Sequence, residues 1–305
     1  MEFFVQQLVN GLTLGSVYAL IALGYTLIYG TLKLLNFAHG EVYMMGAFIG
    51  YGVLTMFGGA SDLAAPVWVV LTCMFMLAML GCGLLGVAVE RFAYRPLRTA
   101  PRIAPLIAAL GVSFFLQATA LLLFGADFRS YDTPEMISFS SGIHVSVLNI
   151  SLVRIMVIVM ALVLMVVLAL AVDRTRIGKA VRAVSYDREA AAMMGVDIDR
   201  VIMIAFFVGS ALAGAAGVMV GLLFGKIFHL MGFVAGLKGF TAAVLGGIGS
   251  IPGAVLGGLF IGFAESFVTA YVSSTFSDVI VFALLIAVLL VRPTGLLGEK
   301  IVNKV

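Results

Sequence analysis

The sequence predicts an all-α, polytopic membrane protein, and three observations predict it. Hydrophobic residues make up 63% of the chain and charged ones 11%, with a mean hydropathy of +1.19. Soluble domains carry only about 45–50% apolar residues. Several apolar runs reach or approach the roughly 20 residues that cross the hydrocarbon. The charges sit between those runs: residues 173–200 hold eleven of the 33 Asp, Glu, Lys and Arg. A β-barrel would instead alternate in and out over spans of about ten residues. The expected organisation is one transmembrane domain over residues 1–305, with a cytoplasmic loop at 173–200 inside it.

Spans are expected at 8–30, 38–57, 65–89, 104–124, 151–172 and 201–224, then a broken apolar region at 234–272 and a last span at 277–291. Glu2 is the only charge ahead of the first run, so no basic n-region marks a cleaved signal, and the first span is expected to stay. Cys73 and Cys82 share one apolar stretch without ligand spacing around them and read as packing residues. The net charge of +3 points to no nucleic acid, because the basic residues lie in loops between spans.

Those loops also orient the chain. Arg91, Arg95, Arg98 and Arg102 follow span three. Arg174, Arg176, Lys179, Arg182, Arg188 and Arg200 follow span five, and Arg292, Lys300 and Lys304 end the chain. Between them, 125–150 sets Asp127, Asp132 and Glu135 against Arg129 alone. Basic loops stay in the cytoplasm. The N-terminus and 125–150 are then outside and the tail inside, which requires two crossings from 234–272. The total is about eight or nine.

Within that region, 239–262 holds eight glycines and Pro252. Pro252 removes a donor and restricts the residue before it, so Gly249–Ser250–Ile251–Pro252–Gly253 breaks any helix. Two readings stay open: a half-helix pair or a tight turn near a pathway, or a glycine packing seam with a short loop.

The charged platform reads as a short helix over 186–195. Ser185 or Asp187 can cap it, Glu189 suits its first turn, and Gly195 can take the left-handed position that ends it. Ala190, Met193 and Met194 recur at helical spacing and make a small apolar face. Such a face at a cytoplasmic edge suits a groove in a soluble partner; folded back on its own bundle, it would be only a surface helix.

A second cluster, Asn36–Phe37–Ala38–His39–Gly40–Glu41, falls between spans one and two, near the cytoplasmic side in this topology. It reads either as a helix start, with Asn36 capping and Glu41 near the positive end, or as part of a gate. One histidine and one carboxylate are too few for a metal site. Lys238 can snorkel to the interface or pair within the bundle. Glu265 lies deep enough to need a partner, water or a proton. Gln117, mid-span, reads as an interhelical hydrogen bond, and Arg129 and His144 as outer-loop residues.

Four stretches carry a resemblance. Glu189–Ala190–Ala191 with Gly195 six residues after the glutamate is similar to the EAA signature of ATP-binding-cassette importer permeases. GKAVRAVSYDREAAAMMGVDIDR (178–200) resembles the matching loop of the high-affinity branched-chain amino-acid permeases. GLTLGSVYALIALGYTLIYG (11–30), LLNFAHGEVYMMGAFIGY (34–51) and GLKGFTAAVLGGIGSIPGAVLGG (236–258) follow the same family, in the same order.

The resemblance implies a permease subunit of the bacterial inner membrane that pairs with a second, related permease. Two cytoplasmic ATPases would use ATP–Mg, and a periplasmic amino-acid-binding protein would deliver the substrate. Asp187, Glu189, Ala190, Ala191, Met194 and Gly195 would form the ATPase-coupling element. Asn36, His39, Glu41, Gly249, Pro252 and Glu265 are the candidates for a translocation path or gate. No P-loop occurs in the chain, so this subunit is expected to bind no cofactor and to be no enzyme. The other classes are a permease for urea, a short amide or a sugar, and an ion-coupled secondary transporter.

Overall fold

The computed structural model describes residues 2–59, 64–98, 100–101, 103–131, 142–145, 148–292 and 294–298. Arg102, Asp132, Glu135, Lys300 and Lys304 lie outside the described residues, and of His144 only the backbone is described. The main elements are helices: α1 (Glu2–Leu32), α2 (His39–Met56), α3 (Val67–Val89), α4 (Ile103–Phe124), α5 (Leu152–Arg174), α6 (Arg176–Tyr186), α7 (Arg188–Met193), α8 (Ile198–Phe224), α9 (Met231–Gly246), α10 (Ile251–Tyr271) and α11 (Ser277–Val291). Two short antiparallel ladders complete the description. β1 (Arg129–Ser130) pairs with β4 (Lys226–Ile227), and β2 (Gly142–Val145) with β3 (Leu148–Ser151).

Seven of the helical segments are long and apolar enough to cross a membrane. Two of them form the centre: the apolar windows of α1 and α8 are 89% and 78% buried, against 22% for α4 and for α5. Small residues bring these central backbones together. A Cβ on Gly209 of α8 would lie 3.1 Å from the Gly24 carbonyl oxygen of α1, and one on Gly46 of α2 would lie 2.5 Å from the Gly214 Cα of α8. This is the small-residue packing of membrane helices, in which backbones replace side chains at the seam.

The third helix does not stop at Val89. It widens through a π turn (Glu90–Tyr94) and then tightens into a 3-10 turn (Arg95–Leu97), so part of the expected loop is helical. The first span begins at Glu2 rather than at residue 8, and the sixth at Ile198 rather than 201.

The 234–272 region holds two helices, α10, which is among the seven long enough to cross, and α9, which at 16 residues is shorter. They run antiparallel: a Cβ on Gly257 would lie 2.8 Å from the Gly246 nitrogen, and Ser266 near the far end of α10 bonds back to Gln7 near the start of α1. The GSIPG break is the tight turn between them. Gly247 and Gly249 both take positive φ, at 107° and 99°, and Ser250 caps α10 by accepting from the Gly253 nitrogen at 3.2 Å. Pro252 sits in the first turn of α10, where its missing N–H costs no helical bond. The tail closes over this turn, Leu296 and Leu297 donating to the Leu245 and Gly246 carbonyls at 2.9 Å each.

The half-helices lie elsewhere than the glycine-rich run suggested. His39, at the start of α2, stacks edge-on against Tyr25, with ring centroids 4.6 Å apart. Tyr25 lies seven residues before the end of α1, about 10 Å at 1.5 Å per residue. The chain therefore turns back into the bundle over residues 33–38 before α2 starts. Residues 226–230 do the same between α8 and α9, for Gly236 and Gly40 meet with only 2.8 Å between the Gly40 Cα and a Cβ built on Gly236. Two helices thus begin at mid-depth with their N-terminal turns touching.

Candidate functional site

The platform is built from caps. Thr175 ends α5 and caps α6 by accepting from the Gly178 nitrogen at 3.0 Å, so the chain turns sharply from a span into an amphipathic helix. Gly178, Val181 and Val184 bury one face of α6. Asp187 then caps α7, accepting from the Ala190 nitrogen at 3.1 Å, and Gly195 closes it at φ 81°. The expected helix at 186–195 is therefore shorter, and Tyr186 belongs to α6 because Asp187 breaks the backbone into an extended conformation.

On α7 the apolar face looks outward. Met193 and Met194 are 82% and 84% exposed, Ala190 is exposed as well, and Ala191 alone turns inward and is buried. Glu189 is exposed beside them. A cleft of about 370 Å³, lined by Lys33, Ser185, Tyr186, Asp187, Arg188 and Glu189, opens where α6 meets α7.

Arg188 faces the bundle instead. Its Nε and Nη2 donate to the Thr31 carbonyl at 2.9 and 2.5 Å, satisfying one of the free acceptors that end α1. Burial and the nearby Arg98 guanidinium pull its pKa below the ordinary arginine value. A second tie joins the π and 3-10 turns to the start of α8: Arg95 and Arg98 each reach Asp199 at 2.5 Å, and Arg98 also pairs with the buried Glu90. The end of α1, the turns after α3 and the platform therefore share one end of the bundle, as the positive-inside rule expected.

At mid-depth stands a polar cluster. Glu41 is buried and its Oε1 accepts from Gln117 Nε2 at 2.7 Å and from Ser113 Oγ at 3.3 Å, both halfway along α4. Its Oε2 has no hydrogen-bond partner and lies against Gly232, in the first turn of α9. His39 points to the other side, where its ring fills the notch that Gly24 leaves. The cluster therefore lies within the bundle rather than near the cytoplasmic side, because residues 33–38 return from the end of α1 before α2 begins. Asn36 does not cap α2; the cap position is Ala38. The Asn36 side chain holds the returning loop, accepting from the Ala38 nitrogen at 3.1 Å and from Tyr94 Oη at 3.2 Å.

A third group is ionic. Lys238 Nζ lies 2.8 Å from Glu265 and 2.7 Å from Asp278, and Tyr18 Oη donates to Glu265 at 2.8 Å. The snorkelling alternative for Lys238 does not hold, since two carboxylates on α10 and α11 meet its ammonium inside the bundle. Glu265 is paired.

With this geometry in place, likeness to known proteins decides the family. Residues 7–289 match the family described as branched-chain amino acid transport system, permease component. The chain is 42% identical to the high-affinity branched-chain amino acid transport system permease protein LivH of Escherichia coli K12, covering 99% of this chain and 98% of that one. It is 43% identical to the corresponding BraD protein of Pseudomonas aeruginosa over the same shares, and 26% identical to a probable LivH of Methanocaldococcus jannaschii over 93% of this chain and 89% of that one. No solved structure matches.

The chain belongs to this permease family. It is a multi-pass membrane subunit of a transport system rather than an enzyme.

In the permease, Gly249 and Pro252 lie at the opposite end of α9 from Gly232, in the turn under the tail. Glu265 belongs to the ionic group and His39 and Glu41 to the mid-depth cluster, so the six candidates for a path or gate fall into separate places. Sequence reasoning missed Tyr94, which bonds both the Leu35 carbonyl at 3.1 Å and Asn36. Nothing in its neighbourhood marks it, since a tyrosine after an apolar run reads as an interfacial residue. It also missed Ser113. That serine shares a helix face with Gln117 at four-residue spacing, a pairing visible in the sequence.

Proposed function

We propose that this permease is one of two related membrane subunits of an ATP-driven importer that carries branched-chain amino acids inward across the bacterial inner membrane. Two cytoplasmic ATPases would bind and hydrolyse ATP–Mg, and a periplasmic binding protein would supply the substrate; this chain binds no cofactor of its own. The observation that carries the reading is α7, capped at Asp187 and Gly195 and exposing Ala190, Met193 and Met194. A short apolar face held on rigid caps gives an ATPase groove something to grip, and Arg188 ties it to the end of α1.

Asp187, Glu189, Ala190, Ala191, Met194 and Gly195 form the coupling element in this reading. Ala191 anchors it and the others present or shape it. The conduit runs past the mid-depth cluster of Asn36, His39 and Glu41. Gly249 and Pro252 act at the α9–α10 turn as a hinge, and Glu265 holds α10 to α9 through Lys238 and to α1 through Tyr18. Closure of the ATPases pulls α7, and the returning loop at 33–38 passes that motion to the start of α2.

The test is uptake of labelled leucine, isoleucine and valine into proteoliposomes holding the complete transporter, with binding protein outside and ATP inside. ATP-dependent uptake that Glu189→Ala and Gly195→Val abolish, with the ATPases still co-purifying, is the expected result. Uptake driven by an ion gradient without ATPases would refute the importer reading. ATP-dependent uptake of urea, an amide or a sugar alone would refute the substrate.

A further inference from the structure

Glu41 is a carboxylate at mid-depth to which no basic side chain is ion-paired among the described residues. Its Oε1 is used by Gln117 and Ser113, and its Oε2 is left without a hydrogen bond although the residue is only 1% exposed. Burying a charged carboxylate is costly unless a cation or a full set of donors meets it. Two neutral donors on one oxygen do not supply that.

The surroundings narrow what would. Glu41 stands in the first turn of α2 and its free oxygen touches the first turn of α9 at Gly232, so the positive ends of two helices of 18 and 16 residues meet at this carboxylate. Beside it lies a gap of about 20 Å³ lined by Tyr25, Phe37, Leu110, Ser113, Phe233 and Leu237. Its walls are aliphatic and aromatic except for two hydroxyls. Ser113 lines the gap and also bonds Glu41, so the gap adjoins the carboxylate although Glu41 is not itself part of its wall. The gap holds only a water-sized body, so an amino acid enters only when α9 and α4 move apart. Phe233 is 50% exposed at the rim and marks where that opening begins.

We propose that Glu41 is the acceptor for the ammonium group of the transported amino acid, whose aliphatic side chain occupies the opened gap between α4 and α9. The assignment rests on the amino-acid importer reading and gives it a specificity-determining residue. It also explains why the path needs a carboxylate here. A solute without a cationic group would have no use for the free oxygen of Glu41, which neither Gln117 nor Ser113 engages.

The experiment uses the complete transporter in nanodiscs, without binding protein, carrying Phe233→Cys with Cys73 and Cys82 changed to serine. Labelling of position 233 by a maleimide is timed with leucine, with 3-methylbutylamine (the amine alone) or with 4-methylpentanoate (the acid alone). Leucine and the amine should slow labelling at least about threefold and the acid should not. In Glu41→Gln the protection should vanish, and leucine uptake into proteoliposomes holding the otherwise unaltered transporter should fall at least about tenfold, with Glu41→Asp between. Should Glu41→Gln fail to assemble with the ATPases, the three ligands on the Glu41 protein still decide. Protection by the acid and not the amine overturns the proposal, as does full protection or full uptake in Glu41→Gln. A transporter with Glu41 intact that imports no branched-chain amino acid has lost the underlying reading first, and that failure is seen before any variant is made.

Discussion

Arg188 of α7 and Thr31 of α1 are joined by two hydrogen bonds, at 2.9 and 2.5 Å, from one guanidinium to one backbone carbonyl. The residues are 157 positions apart. One of them sits inside the proposed coupling element and the other at the last turn before the chain re-enters the bundle. The pair therefore bridges the platform to the end of α1, two residues before Lys33, which holds a left-handed φ of 53°. A non-glycine residue in that region stores strain, and such positions persist where surrounding contacts hold them.

Arg188→Ala should break this bridge. A hydrogen bond to a charged group is worth about 1.5–3 kcal/mol, enough to loosen α7 from α1 without unfolding seven spans. Substrate transported per ATP should fall several-fold, while Arg188→Lys, which can still reach one carbonyl, should keep part of it. The ratio is measured in proteoliposomes with both fluxes followed together. An unchanged ratio in Arg188→Ala would show that motion travels by another route, such as Asp199 with Arg95 and Arg98.

Gly195 gives a prediction of a different kind. A Cβ there would meet nothing within 4 Å, so a clash cannot explain any defect within this chain; only the φ of 81° can. Gly195→Asn should be mild, because asparagine enters the left-handed region readily, and Gly195→Val severe, because a β-branched residue does not. ATP-dependent leucine uptake by proteoliposomes holding each variant checks this. Equal loss in both would mean that the open space at Gly195 belongs to the partner and that bulk, not backbone conformation, is what it excludes.

Much of this was legible in the sequence, and the part that was not has a common cause. Apolar run length located the spans, and local chemistry found the Asp187 cap and the Gly195 stop, because both act over three or four residues. Gln117 and Glu265 were recognisable as groups needing partners, since a polar side chain inside a membrane must find one. Which partner was not legible: Gln117 reaches Glu41 across 76 residues. Depth was the larger loss. Hydropathy measures how apolar a segment is and not where it starts, so α2 read as a span beginning at the cytoplasmic side. The glycine and proline signal drew the expected break to 249–253, while the half-helices begin at His39 and Met231, where no proline marks them.

The ionic group should behave as a structural clamp. Lys238→Met would leave Glu265 facing Asp278 and Tyr18 without a cation, and removing one partner of a buried pair costs about 3–5 kcal/mol. Asp278 is 53% exposed, so Asp278→Asn should cost under about 1 kcal/mol. Thermal denaturation of the detergent-solubilised complex reads both. Lys238→Met combined with Glu265→Gln should recover part of the loss, because the uncompensated charge is gone. If the double variant is worse than the sum of the singles, Lys238 and Glu265 do more than neutralise each other.

Tyr94 is the last link to test. Its hydroxyl holds the Leu35 carbonyl and the Asn36 side chain from the π turn after α3, while Arg188 holds Thr31 from the platform. The loop that sets the position of Glu41 is thus fixed from two sides, one leading to Asp199 through Arg95 and Arg98 and the other to α7 directly. Tyr94→Phe removes only a hydroxyl and should cost about 0.5–1.5 kcal/mol of stability. If the two holds act on the same loop, the coupling defect of Tyr94→Phe with Arg188→Ala should exceed the product of the separate defects, since either hold alone still positions residues 31–38. Defects that simply multiply would mean that the π turn and the platform act on the bundle independently, and that Tyr94 serves packing alone.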